Sequence, residues 1–419
     1  MHPGQCRRWV PLLLAVGVSI GAANHAAAQD APVFPVTCGC IATTPVLIDP
    51  DMSPRAGASV TQAIGRALAR AEDRVVPTRL FAENGKLRRG ANAGYRLAKL
   101  LLWDQPQENW LRVANHEVFG HGARVRELFD GARVSYELPA PPPYGRGGGA
   151  TSFDYTRVPT VEEALAVAVA GMEANQMLGQ AIAKDALTAG DWHYRDARRY
   201  LYAENDAIRY IGGVSDLEPE GHDVGDFLRI YNDAAMQEHA KLLSARTLRR
   251  RVLTSFANPL IVYSYYSTYV SYVWSGKTES RLPMLHFGET RYLPMARFQL
   301  TPFGTQWRID NDFVRNGRFA DVTLYMGQTI GARTYGVGVQ GTRVATIRGW
   351  TFDGRGVVWH QPQWGGEIEA TAMREIPRLR RAAHGIALVV QAGVKSDGFL
   401  AGEPIHQGGF VRIGGAFVH

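Results

Sequence analysis

Two imidazoles and a carboxylate fall within six residues of this 419-residue chain, in His116-Glu117-Val118-Phe119-Gly120-His121. Together they suit water activation on a metal: imidazoles bind the ion and a carboxylate takes a proton from the water. Two helical histidines that share zinc usually stand four apart, about 40° apart round the axis. Here they stand five apart, and a regular α-helix would set them about 140° apart. A π-bulge lowers the turn per residue and returns both rings to one face. Gly120, without a Cβ, suits such a wide turn. The spacing therefore predicts a bulged helix with zinc on His116 and His121 and Glu117 as general base.

A catalytic zinc takes three protein ligands and leaves a place for water. Thr160-x-x-Glu163 reads as a capping box that opens a helix, with Glu162 in its first turn. That helix continues Ala164 to Asn175, apolar nearly all round and so buried. Glu173 is its one carboxylate past the first turn, and a buried carboxylate needs a cation or a metal. Glu173 is thus the expected third ligand. Glu162 and Glu163 are weaker choices, because capping already explains them. His193, Tyr194, His222, Tyr231 and His239 are all open as the transition-state stabiliser.

The hexapeptide matches H-E-x-x-G-H, and in this it resembles the dipeptidyl-peptidase III family of zinc peptidases. His116, Glu117, Gly120 and His121 are the matching positions. The resemblance implies zinc on the two histidines, Glu117 as base, and a later glutamate, here Glu173, completing the site. It covers the motif and the glutamate spacing alone. It lends the site chemistry and leaves dipeptide specificity aside.

The elements that must position these groups follow in chain order. Arg7 and Arg8, the apolar run Val10 to Ala22 and Ala26-Ala27-Ala28 read as a cleavable secretory signal over 1–28. Residues 29–54 read as an extended leader that holds Cys38 and Cys40, expected as a surface disulfide or free thiols. Helices are expected over Ser59 to Arg70, Ala91 to Trp103, Asp104 to Gly131, Thr160 onward, Arg195 to Ile211 and Val224 to Leu253. Val134 to Leu138 reads as a strand, and Pro139 to Ala150 as a flexible loop, either a disordered surface loop or a substrate flap beside the site. Phe256 to Trp274 is aromatic and uncharged and reads as a buried or interfacial connector.

After Arg281 the period becomes two. About eight strands are expected, apolar on one face and polar on the other, with turns at Asn316-Gly317, Asp353-Gly354 and Asp397-Gly398. The pattern resembles small eight-stranded bacterial outer-membrane proteins, which implies an apolar-out barrel in lipid. A water-soluble barrel or sandwich is the alternative.

The fold expected is α+β: a mostly helical, zincin-like domain over 55–277, then an antiparallel β-barrel over 278–419. The net charge of +7 is mild. It comes without a long basic run, which sets nucleic acid aside. Arg246, Arg249, Arg250 and Arg251 form the densest basic cluster and suit a membrane surface or a solvated helix end. The function expected is a zinc metallopeptidase, secreted across the inner membrane and held at the outer membrane, acting on peptide or protein. The alternatives are a periplasmic location, a lipid ester or amide as substrate, or a non-enzymatic outer-membrane structural or transport protein.

Overall fold

Helix α1, Pro54–Val75, starts where Ser53 Oγ accepts the Ala56 N–H and Pro54 fills the first helical position. The computed structural model describes residues 45–82, 85–215, 221–361, 363–376 and 385–418. The signal, the leader up to residue 44, and Cys38 and Cys40 lie outside the described residues.

Helix α2, Lys86–Lys99, passes through a π turn, Leu100–Asp104, into α3, Gln105–His116. A second π turn, Glu117–His121, leads into α4, Gly122–Leu128. The five-residue histidine spacing is therefore met by a π turn that starts immediately after His116 and ends on His121. Helix α5, Val161–Ala189, opens with the full Thr160/Glu163 capping box. It runs buried through the middle of the molecule, as its apolar circumference requires. Helices α6, Tyr194–Gly213, α7, Asp223–Gln237, and α8, Ala245–Val252, pack round it. The helix expected from Val224 to Leu253 is two helices, α7 and α8. The aromatic stretch becomes α9, Pro259–Tyr265, and a long π segment, Tyr266–Trp274.

Ten strands form one antiparallel sheet, in the order β1, β14, β13, β12, β11, β10, β9, β8, β7, β6. Strand β1 is Val46–Ile48 and β6 is Leu285–Phe287. Between them lie β7 (Thr290–Thr301), β8 (Gly304–Arg315), β9 (Arg318–Thr329) and β10 (Arg333–Ile347). They continue with β11 (Trp350–His360), β12 (Trp364–Glu375), β13 (Gly385–Lys395) and β14 (Gly408–Val418). The expected turn at Asp353-Gly354 falls inside β11. Two short two-stranded antiparallel sheets stand apart: β2, Val134–Glu137, with β3, Ala150–Phe153, and β4, Asp191–His193, with β5, Glu279–Arg281.

The expected eight-stranded barrel does not form: among the described residues the sheet has ten strands and does not close on itself. Helices take the pairing places that a closing strand would need. At β7, Ser255 Oγ accepts the Phe298 N–H at 3.1 Å and Gln176 Nε2 donates to the Phe298 carbonyl at 3.2 Å. At β1, Ser59 Oγ accepts the Leu47 N–H at 2.9 Å. Covered edges cannot pair with one another.

The expected alternation of faces holds. The concave face is buried and polar, with Arg297, Arg308, Asp310, Arg355, Glu369 and Arg412. The convex face exposes Leu324, Val337, Val339, Ile368, Val394 and Ile413. A cavity of about 250 Å³ lies between α1, α5 and the concave face, lined by Arg55, Lys184, Arg297 and Asp310 among others. The described residues form one compact unit, with the sheet folded onto the helices that precede it in the chain.

Candidate metal centre

The π turn sets the rings of His116 and His121 on one side, with Nε2 atoms 3.2 Å apart. Asp223, the first residue of α7, brings Oδ2 to 3.0 Å from His116 Nε2 and 3.4 Å from His121 Nε2. These three atoms could hold one metal ion. Tetrahedral zinc with ligands at about 2.0–2.1 Å separates its donor atoms by about 3.3 Å. The observed triangle fits that spacing, and two imidazole nitrogens with one carboxylate oxygen are a zinc donor set.

The other ring nitrogens are occupied. His116 Nδ1 donates to Asp206 Oδ2 at 2.8 Å, and His121 Nδ1 donates to the Val167 carbonyl at 2.8 Å. Each bond fixes a tautomer that leaves Nε2 free to ligate. Asp206, on α6, is itself held by Arg112 and by Asn175 Nδ2 at 2.7 Å. Asn175 accepts from Asn115, which accepts from Thr61. A buried hydrogen-bonded rail thus runs from α1 to the first ligand.

Charge is concentrated here. Burial works against a cationic His116, but Asp206 and Asp223 outweigh it and push its pKa up to about 10. Burial likewise opposes an ionised Asp206, yet Arg112 and His116 hold it at about 2. Asp223 is buried too, and the two histidines hold it well below the usual carboxylate range. The pocket is built to pair carboxylates with a cation.

Glycines let the ligand helix approach α5. A Cβ on Gly120 would lie 2.6 Å from Gly171 Cα, and one on Gly171 would lie 2.1 Å from His116 Nε2. Gly120 therefore serves helix packing as well as the wide turn.

Glu117 is buried beside the triangle, and Thr151 Oγ1 donates to its Oε2 at 2.7 Å. The loop before β3 closes over it: a Cβ on Gly149 would sit 2.9 Å from Glu117 Oε1. Tyr210, one helical turn beyond Asp206, stacks on His116 with ring centres 5.3 Å apart. Burial raises the Tyr210 pKa, and Asp206 and Asp223 add to it, so its phenol stays protonated.

Glu173 is not brought to the histidines. Its carboxylate is clamped by Arg124, through both Nε and Nη2, and it accepts the Gly402 N–H at 2.7 Å. The cation that its burial demands is an arginine. The carboxylate that does lie with the two histidines is Asp223, whose sequence signal is only that of an acidic residue at a helix start. Of the other candidates, His222 lies tilted against the Tyr210 ring and caps α7 next to Asp223. His193 lies near Asp73 and Tyr194 stacks on Tyr272. Tyr231 packs on Phe227, and His239 follows the end of α7. Glu163 caps α5 and binds Arg157.

A second carboxylate cluster, Glu367, Glu369 and Glu403, also lies within metal-binding reach. Arg355 Nη2 already stands 2.5, 2.9 and 2.7 Å from these three, so a guanidinium fills that place.

No protein family, curated protein or solved structure matches this chain.

Proposed function

We propose that this protein is a zinc-dependent hydrolase, a metallopeptidase in its leading reading, held at the outer membrane through the convex face of its sheet. The observation that carries the catalytic reading is the triangle of His116 Nε2, His121 Nε2 and Asp223 Oδ2, with Glu117 one residue from the first ligand. Zinc bound there would lower the pKa of a coordinated water to about 7. Glu117 would accept that water's proton on a carboxylate oxygen as the water attacks an acyl carbon. The same carboxyl would then protonate the leaving amine. Thr151 aims the carboxylate, and the loop around Gly149 keeps bulk water from it. Asp206 and the Val167 carbonyl hold the two imidazoles in register.

The membrane reading rests on the convex face. Across β9, β10, β12, β13 and β14 it carries apolar residues, paired as Leu324 with Val337, Ile368 with Val394, and Val390 with Ile413. Soluble proteins seldom leave so wide an apolar surface in water. A secretory signal over 1–28 would deliver the chain to that membrane.

The test is a Glu117→Gln chain assayed on a mixed peptide library. It should keep its zinc and lose about 10²–10⁴-fold in kcat/KM. Undiminished turnover would remove Glu117 from the chemistry. A wild-type chain that holds zinc yet cleaves no peptide would turn the reading to a lipid ester or amide.

A further inference from the structure

From Thr254 to Ser275 the chain carries no charged residue. It folds against the helical core but leaves one stripe outward: Val262, Tyr266, Val270 and Trp274, exposed by 65, 49, 46 and 73%. Their spacing of four keeps them on one face of α9 and its π continuation. Leu253 and Phe256 are exposed just before it. Ahead of these, α8 presents Arg246, Arg249 and Arg250 to the outside. Arg251 differs: it turns inward to Thr305 and Gln328 and covers the Trp307 ring.

This ridge is continuous with the apolar face of the sheet. Trp307 Nε1 donates to Thr254 Oγ1 at 3.1 Å. Trp307 stands opposite Met326, Met326 opposite Tyr335, Tyr335 opposite His360, and His360 opposite Trp364. The last three rings lie 5.1–5.6 Å apart. Such an aromatic row at one end of an apolar face marks the depth where acyl chains meet headgroups.

We propose that the segment from Arg246 to Trp274 lies in the headgroup layer of an anionic phospholipid leaflet. Arg246, Arg249 and Arg250 meet lipid phosphates, while the Val262–Trp274 stripe enters the acyl boundary. The inference rests on the lipid-facing reading of the sheet and adds a leaflet and a headgroup charge to it. Among the described residues no helix is long and apolar enough to cross a bilayer, which suits a segment lying in its plane. The exposed arginines select acidic lipid over a second copy of this chain, whose matching ridge would bring the same positive charges together.

Vesicle flotation of the full chain tests this, with phosphatidylcholine alone or mixed with phosphatidylglycerol, at low salt. Wild type should bind the anionic vesicles about a hundredfold more tightly, at roughly fivefold per arginine. The variant Arg246→Gln/Arg249→Gln/Arg250→Gln should bind both vesicles equally and keep wild-type affinity for phosphatidylcholine, which also shows that it folds. An undiminished preference for anionic vesicles in that variant overturns the inference and leaves the lipid-facing sheet intact. Wild type that floats with neither vesicle, or Leu324→Lys/Ile413→Lys floating with phosphatidylcholine as well as wild type, overturns the lipid-facing reading and the inference with it. A ridge variant that stops self-association instead of lipid binding assigns the ridge to a second copy and also overturns it.

Discussion

His116 and Asp223 stand 107 positions apart in the chain, yet His116 Nε2 lies 3.0 Å from Asp223 Oδ2. The other nitrogen of the same ring is 2.8 Å from Asp206 Oδ2. One imidazole is thus gripped by two carboxylates, one on the metal side and one behind it. The roles separate by what else each touches. Asp206 is saturated by Arg112 and Asn175, whereas Asp223, among the described residues, meets the two histidines at the triangle.

Asp206→Asn should weaken zinc binding by about 10–100-fold without removing a ligand. Competition with a chromogenic chelator reads this directly. An unchanged zinc affinity would show that the histidine tautomer is fixed by something else.

Gly171→Ala places a methyl 2.1 Å from His116 Nε2, and Gly120→Ala places one 2.6 Å from the Gly171 backbone. The first clash meets a ring, and the second meets a main chain that cannot swing aside. Gly120→Ala should therefore cost about 1–3 kcal/mol in denaturant unfolding. Gly171→Ala should displace His116 and lower zinc affinity as well. Zinc affinity kept in Gly171→Ala would mean that α5 yields more readily than the packing implies.

Glu173→Gln should keep full zinc binding and lose stability. It leaves the buried Arg124 guanidinium with Glu127 and the Glu403 carbonyl but without its Glu173 charge partner, at a cost of about 1–3 kcal/mol. Urea unfolding gives the stability and metal analysis gives the zinc content. Loss of zinc in a chain that stays folded would return Glu173 to the ligand set.

Much of the helical half was legible because its signals are local. The five-residue spacing of His116 and His121 demanded a wide turn, and Thr160 with Glu163 announced the start of α5. The alternation of faces in the strands was equally local. What escaped depends on distant partners. Glu173 looked like a ligand because its cation, Arg124, sits 49 residues earlier on another helix. Asp223, which stands with the two histidines, carries no local signal beyond being an acidic residue at a helix start, and its place beside them depends on how α7 packs. The barrel failed to close because Ser59, Gln176 and Ser255 occupy strand edges, and periodicity along the strands carries no trace of that.

The Glu163 carboxyl gives a pH signature. Its hydrogen bonds from Arg157, joined by the Thr160 N–H and opposed by burial, hold it at about 2. A carboxylate depressed on folding adds stability that is complete above its unfolded pKa of about 4.3 and disappears as pH falls towards 2. The melting temperature of Glu163→Gln should therefore lie below wild type at pH 6, and the gap should narrow by pH 3. A gap that stays constant over that range would mean that the charge on Glu163 contributes nothing.

Zinc stoichiometry and affinity, measured on wild type and Asp223→Ala purified without chelator, test the central claim. The account predicts one zinc per wild-type chain and an affinity lowered by more than about a hundredfold in Asp223→Ala, with the helical circular dichroism retained. Wild type with less than about 0.1 zinc per chain, or Asp223→Ala with wild-type affinity, would contradict it.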